Sequence, residues 1–535
     1  MRIFYLATII LLSGLLANAQ FDGQSSWGSP SNTYPLTVNS RSGMYTGIYM
    51  NESRAFLGIP YAQPPTGNLR FKPPQSLWYN WGMTYATQMP PSCWQSGKPT
   101  GYIMSEDCLY LNVFTPKNIH NVNPTQYYSN LPVMVFLHGG RYWTGAATDF
   151  QGDHLAAVGN VIHVVIQYRL NIFGFQSFDG NTNIGLQDQQ MALRWVQDNI
   201  RSFGGDPERV TIYGESAGGS ATLYHLTMPS SYNLYNRIVA HSAWQWVVPT
   251  AATSKVKTAA YAATKGCANV TSSGAPDYNA ILRCMQSKPA ADITPTVGNS
   301  DFFVPMVDGN LIKTQLLTAF KQGKYNKRAN IIIGHNYDEG HYMAFARLGY
   351  VPPTTTVTNT TLYNSLVKYL NVYFTPAQRD EIISWYLPVA GEIGNWMGGS
   401  EFFGDYYINC GSIMASEYLF QQGVKFNNYI FNYSSPNYPS SDWFLAASHG
   451  NELPYVFFQD VYTPYPFAPA DAVLAHRMTR SWTDYADNGN PSGPFSRWPT
   501  YPDAMYYGPD VMNYNDKRPY SKAICENWRQ YLEAY

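Results

Sequence analysis

The chain has 535 residues, and 34 Lys and Arg against 35 Asp and Glu leave a formal charge of −1. Charged residues make up only 13%, about half the usual share of ~25%, while apolar residues reach 45% and aromatics 16%. This balance excludes a disordered chain, which needs low hydrophobicity and high net charge, and a nucleic-acid binder, which carries a basic field over its contact face.

The opening residues MRIFYLATIILLSGLLANAQ read as a secretory leader: Arg2 gives the positive start, Ile3 to Leu16 the apolar run, and Ala17-Asn18-Ala19 a small-x-small cleavage site. The run is shorter than the roughly 20 residues that cross a bilayer, and the polar end from Glu526 to Tyr535 lacks the tail of a lipid-anchor signal. The expectation is a leader at 1–19, a mature chain from Gln20 in the secretory lumen or outside the cell, and a single domain over 20–535 with no membrane span. Six cysteines, Cys93, Cys108, Cys267, Cys284, Cys410 and Cys525, fit that compartment, although six allow 15 pairings. Acceptor triplets at Asn51, Asn269, Asn359 and Asn432 fit surface glycans.

Further along, short apolar runs alternate with amphipathic stretches. Val133 to Leu137 and Val161 to Ile166 are β-branched runs of the kind buried on both faces of a sheet. Leu186 to Phe203 carries a helical stripe ending at Gly204-Gly205, Arg209 to Tyr213 reads as a strand, Ser216 to Met228 as a helix, and Arg237 to Ala243 as a strand. Such alternation predicts an α/β fold with a mainly parallel sheet. Ile331 to Ile333 and Tyr429 to Phe431 extend it, while Thr354 to Gly423 reads as helical but irregular, broken by Pro and Gly.

Gly214-Glu215-Ser216-Ala217-Gly218 is a GxSxG between strand and helix. The chemistry needs a serine on a sharp turn, glycines that let the helix approach the strand, and a helix N-terminus whose N–H groups meet a developing oxyanion. A serine hydroxyl also needs a base, and the base an acid, in the chain order serine, acid, histidine. His341, His449 and His476 follow at distances that leave room for an intervening acid; His335 comes too early, and His138, His225 and His241 read as structural. His449 lies in a small-residue loop. The acid candidates are Asp338 and Glu339, just past the strand 331–333 where α/β sheets place their sites, and spacing leaves both open. Glu215 reads equally well as a turn carboxylate or as a neighbour of the chemistry. No HExxH or Cys/His cluster points to a metal, and no cofactor is expected.

FLGIPYAQPPTGNLRFKPPQ (56–75), SEDCLYLNVFTP (105–116), HGGRYWTG (138–145), YRLNIFGF (168–175), FGGDPERVTIYGESAGG (203–219), NYDEG (336–340), GDYYINC (404–410) and HGNELPYVF (449–457) together resemble the type-B carboxylesterase/lipase family, which includes cholinesterases and neuroligins. The resemblance implies an α/β-hydrolase fold with long insertions and a triad of Ser216, Glu339 and His449. It also implies disulfides 93–108, 267–284 and 410–525, a structural ion pair of Arg70 with Glu106, and an oxyanion hole from Gly140, Arg141 and Ala217. Arg141 departs from the glycine usual there. If its backbone takes positive φ, it carries about 1–2 kcal/mol of strain relative to glycine, and its cation crowds the acyl side of the pocket.

In the resembling cholinesterases a tryptophan in the loop before EDCLYLN holds quaternary ammonium by cation–π contact; here Trp94 adjoins Cys93 and does not match, which weighs against choline. The function expected is a secreted serine esterase acting on a small-molecule or lipid ester. The rivals are a weakly active or non-catalytic storage or adhesion protein, and an interfacial lipase.

Overall fold

Every apolar run read as a strand joins one sheet. The structure, a computed structural model, describes residues 36–534 apart from 78–81, 98–101, 118–129, 179, 297–302, 349–356, 372–373, 460–464, 495 and 509–518. The leader at 1–19 lies outside the described residues.

The sheet is ten-stranded. Its strands are β1 (Ile48–Met50), β2 (Ser53–Pro60), β3 (Tyr110–Pro116), β4 (Leu131–Leu137), β5 (Ile162–Ile166), β6 (Gly205–Glu215), β7 (Arg237–His241), β8 (Asn330–Asn336), β9 (Asn427–Phe431) and β10 (Met505–Tyr507). In space they run β10-β9-β8-β7-β6-β4-β5-β3-β2-β1. All pairings from β10 to β5 are parallel and the remaining three antiparallel, as expected for an α/β-hydrolase fold.

β4 is buried along its whole length. Val133, Val135 and Leu137 point into one core and Met134 and Phe136 into the other, so the period of two fills both faces. The first core is covered by α1 (Ile184–Asn199) and α2 (Ala217–Thr227), the second by α8 (Pro469–Asn488) through Ala475, Met478, Trp482 and Tyr485.

β6 is longer than Arg209 to Tyr213 because its polar start pairs too: Gly205 lies opposite Leu131, and a bulge then brings Val210 opposite Val133. After α3 (Gly340–Leu348), the described part of the stretch expected to be helical but irregular is helical, and more regular than its Pro and Gly suggest: α4 (Asn359–Leu370), α5 (Pro376–Ile393), α6 (Asn395–Gly404) and α7 (Cys410–Gln421). α5 runs through Pro388, because packing of Ile382, Ile383, Tyr386 and Ala390 outweighs the lost backbone bond. Between α6 and α7 the residues Asp405–Asn409 form a π-helical turn, a rare element that gathers at functional sites.

The three disulfides pair as implied: Cys93–Cys108, Cys267–Cys284 and Cys410–Cys525, the last joining α7 to α9 (Pro519–Leu532). Arg70 pairs with Glu106 and donates through Nη1 to the carbonyls of Met285, Gln286 and Lys288, which makes it scaffold. Of the acceptor asparagines, Asn51 and Asn359 are exposed and Asn269 and Asn432 half-buried. No helix among the described residues is long and apolar enough to cross a membrane.

Candidate active site

β6 delivers the serine. A Cβ on Gly214 would sit 2.6 Å from the Leu137 carbonyl oxygen, and one on Gly218 only 1.8 Å from it. Glycine at these two places lets α2 lie against β4 and β6. Ser216, at the junction, has φ 59° and ψ −121°, a conformation that costs an L-residue about 1–3 kcal/mol. Three backbone bonds hold it there: Ser216 N–H to the His241 carbonyl at 3.0 Å, Ser220 N–H to the Ser216 carbonyl at 3.0 Å, and Trp244 N–H to the same carbonyl at 3.1 Å. Ala217 is the first residue of α2, where backbone N–H groups and the positive dipole end meet.

The acid and the histidine are brought together by a parallel bridge. Asp338 pairs with Ser448, and Asp338 N–H donates to the Ala447 carbonyl at 3.0 Å. The next residues on each side are then neighbours: His449 Nδ1 lies 2.6 Å from Glu339 Oε2. The other Glu339 oxygen accepts the Asn336 N–H at 2.6 Å. Asp338 instead sets its carboxylate 3.8 Å from His341 Nε2. Of the two acids that spacing left open, Glu339 is the one on His449. His476 sits on α8.

Glu215 is a neighbour of His449 rather than a mere turn carboxylate: His449 Nε2 lies 3.1 Å from Glu215 Oε1. Burial pushes the Glu215 carboxyl up to about 8, with the charges of Glu452 and Glu339 adding to the rise and His449 opposing it. Burial opposes the charged form of His449, but the carboxylates of Glu215 and Glu339 outweigh it and raise the imidazole to about 9. Glu339 is also penalised by burial, yet the charge and hydrogen bond of His449 and the Asn336 N–H bring it below the ordinary carboxylate range.

A second buried layer stands behind this one, of which the sequence reading took only His241, as structural. Glu452 Oε2 accepts from Asn336 Nδ2 at 2.6 Å, and Glu452 Oε1 lies 3.4 Å from His241 Nδ1. Trp482 Nε1 donates to His241 Nε2 at 2.9 Å, which leaves the His241 proton on Nδ1, 2.9 Å from the Tyr429 hydroxyl. Asn336 also donates to the Ser448 carbonyl at 2.7 Å, so one amide ties both layers to the His449 loop.

The loop after β4 carries positive φ at three successive residues: Gly140 at 99°, Arg141 at 61° and Tyr142 at 60°. The strain expected of Arg141 is therefore present, at about 1–2 kcal/mol, and Tyr142 adds as much. The turn is pinned by Trp143 and Thr144 N–H to the Gly140 carbonyl, both at 2.9 Å, and by Asn171 N–H to the Tyr142 carbonyl at 2.7 Å.

Two features beside the triad escaped the sequence. Trp244 stacks on Tyr407 of the π-turn at 4.1 Å and 8°, with its ring 6.1 Å from that of His449. Arg347 of α3 lies over Tyr369, Phe403 and Tyr407 at 4.1, 4.8 and 4.6 Å and donates to the Tyr407 hydroxyl at 2.8 Å. The run HSAWQW (241–246) and the motif GDYYINC (404–410), which holds Tyr407, were the sequence signals that could have pointed here. Trp94, by contrast, lines a small cavity with Arg70, Glu106 and Phe173. Asp405 lies close to Cys410 and Cys525, but both sulfurs are tied in the disulfide and offer nothing to an ion.

The sequence model of the Carboxylesterase family matches residues 35–526. The chain is similar to a cholinesterase from Mus musculus, 31% identical over 92% of this chain and 86% of the relative. It is also similar to an acetylcholinesterase-1 from Trittame loki, 29% identical over 98% of both, and to an acetylcholinesterase from Bungarus fasciatus, 28% identical over 94% and 87%.

Proposed function

The chain belongs to the carboxylesterase family of carboxylic-ester hydrolases, and we propose that it is a secreted serine esterase that works through an acyl-enzyme. Ser216 Oγ attacks the ester carbonyl while His449 takes its proton. The N–H groups of Gly140, Arg141 and Ala217 hold the oxyanion, His449 returns the proton to the leaving alcohol, and water repeats the sequence on the acyl-enzyme. Glu339 keeps the imidazole oriented and stabilises its charged form. The observation that carries this reading is the 2.6 Å contact of His449 with buried Glu339 beside the strained Ser216 elbow. Treatment with a fluorophosphonate and peptide mapping tests it: one label per chain is expected on Ser216, lost in His449→Ala. Secretion and glycans at Asn51, Asn269, Asn359 and Asn432 belong to the same proposal, and intact-mass measurement of secreted protein checks both.

The paired groups set the pH dependence. With Glu215 at about 8 and His449 at about 9, the pair gives up its protons above neutrality. The base is needed deprotonated, so kcat/KM is expected to rise through the alkaline range. In Glu215→Gln the carboxylate that favours charged His449 is gone, and the rising limb moves to lower pH by about one unit or more. An unmoved limb would detach Glu215 from the base.

Arg141 favours slow turnover over full family activity, because its strained backbone N–H is one of the donors and its side chain stands at the pocket. Arg141→Gly is expected to raise kcat for a small neutral ester several-fold and to stabilise the fold by about 1–2 kcal/mol. Steady-state kinetics and denaturant titration read the two effects. An unchanged rate would remove Arg141 from the hole.

A further inference from the structure

Arg141 and Arg347 come from different parts of the chain and converge on one side chain. The guanidinium carbon of Arg141 lies 5.3 Å from the centre of the Trp244 ring and that of Arg347 lies 5.9 Å from the same centre. That ring is 6.1 Å from the imidazole of His449, and Trp244 is bonded through its N–H to Ser216. Two cations therefore stand one residue away from both the nucleophile and the base.

The aromatic rings of this wall are matched to those cations. Tyr369, Phe403 and Tyr407 surround the Arg347 guanidinium at 4.1 to 4.8 Å, with Trp244 as a fourth face. A cluster of four π faces is the arrangement that binds an ammonium ligand, but here the chain's own arginine fills it. A cationic substrate would have to displace that guanidinium and then meet Arg141 beside it. An anion meets the opposite field. The planar fork of a guanidinium matches a carboxylate in two parallel hydrogen bonds, and Arg141, on the oxyanion loop, is half-buried and thus only partly covered by protein.

We propose that the pocket selects esters bearing an anionic group, of the carboxylate class, which Arg141 and Arg347 hold against the Trp244 wall while Ser216 reacts. The proposal rests on the serine-esterase reading and specifies its substrate class. The negative groups of the site do not oppose this. Glu339 and Glu215 both face His449, at 2.6 and 3.1 Å, so the imidazole lies between their carboxyl groups and the substrate side.

The test is a set of 4-nitrophenyl esters of matched length: neutral valerate, anionic hemiglutarate and cationic 4-aminobutyrate, together with the acetate ester of 4-hydroxybenzoate, whose charge is on the leaving group. In the wild type the better of the two anionic esters, the hemiglutarate compared with the valerate and 4-acetoxybenzoate with its neutral methyl ester, is expected to show kcat/KM at least about tenfold higher, with the cationic ester slowest. Whichever anionic ester gains tells which arm of the ester faces the arginines. The gain should shrink as salt rises toward 1 M, where screening is short-ranged. It should fall toward one in Arg347→Met and persist in part in Arg347→Lys; the ratio to the neutral ester within each variant corrects for loss of folded enzyme. Equal or slower hydrolysis of both anionic esters would overturn the proposal. If no ester turns over and a neutral fluorophosphonate leaves Ser216 unlabelled, the esterase reading itself has failed. Calorimetric titration of the wild type with glutarate at low salt then decides the pocket: saturable binding weakened in Arg347→Met supports it, and no binding overturns it.

Discussion

Ser216→Ala is expected to lower kcat for ester hydrolysis by about 10⁶-fold and to abolish fluorophosphonate labelling, leaving at most the residual rate that oxyanion contacts and binding supply. The elbow makes a second, independent result available. Ser216 holds φ 59° and ψ −121°, which alanine does not relieve and glycine does. Ser216→Gly should therefore be as inactive as Ser216→Ala yet more stable by about 1–3 kcal/mol, read as a shift in the denaturant midpoint. A serine kept in a strained turn at the expense of stability is the pattern of a site selected for reactivity. Retention of more than a few per cent of wild-type activity in either variant would refute the assignment of the nucleophile.

Glu339→Gln should lower kcat by about 10³–10⁴-fold, while its neighbour Asp338→Asn changes it only a few-fold. The contrast follows from geometry. Glu339 Oε2 lies 2.6 Å from His449 Nδ1, whereas the Asp338 carboxylate faces His341 at 3.8 Å. Glutamine keeps the shape of Glu339 but removes the charge that stabilises the imidazolium, and it permits the wrong tautomer of His449. Labelling of Ser216 should slow in parallel without disappearing. Comparable losses in both variants would mean that the bridge through Asp338, rather than the acid at 339, is what the site depends on.

The strands at the centre of the sheet were readable because they are buried on both faces, so VMVFL and, apart from His163, VIHVVI carry a continuous apolar signal. The elbow was readable because two glycines at fixed spacing answer a local demand, the approach of α2 to β4. The polar start of β6 was not, since Gly205 to Glu208 looks like a helix end and turn and enters the sheet only through a bulge. The regularity of α5 was hidden by Pro388, which tertiary packing overrides. Asp338 and Glu339 could not be told apart by spacing, because what separates them is a backbone bridge to Ser448, 110 residues downstream. Arg347 and Tyr407 share a wall with Trp244 only once three distant segments meet, and nothing in their local text announces it.

The π-turn at Asp405–Asn409 gives the long helix an extra residue in one turn. Its backbone offers the Tyr407 carbonyl to the Gln245 N–H at 3.0 Å and the Ile408 carbonyl to Trp246 Nε1 at 3.2 Å. The turn thus acts as a socket for the segment that bears Trp244. It also shifts the helix's angular phase, so that Tyr407 reaches that indole while Cys410, three residues on, reaches Cys525. Deleting one residue there would close the turn to ordinary α-helix and swing one half against the other by about 100°. One of the two attachments, the wall of the pocket or the tether to the last helix, would then have to let go.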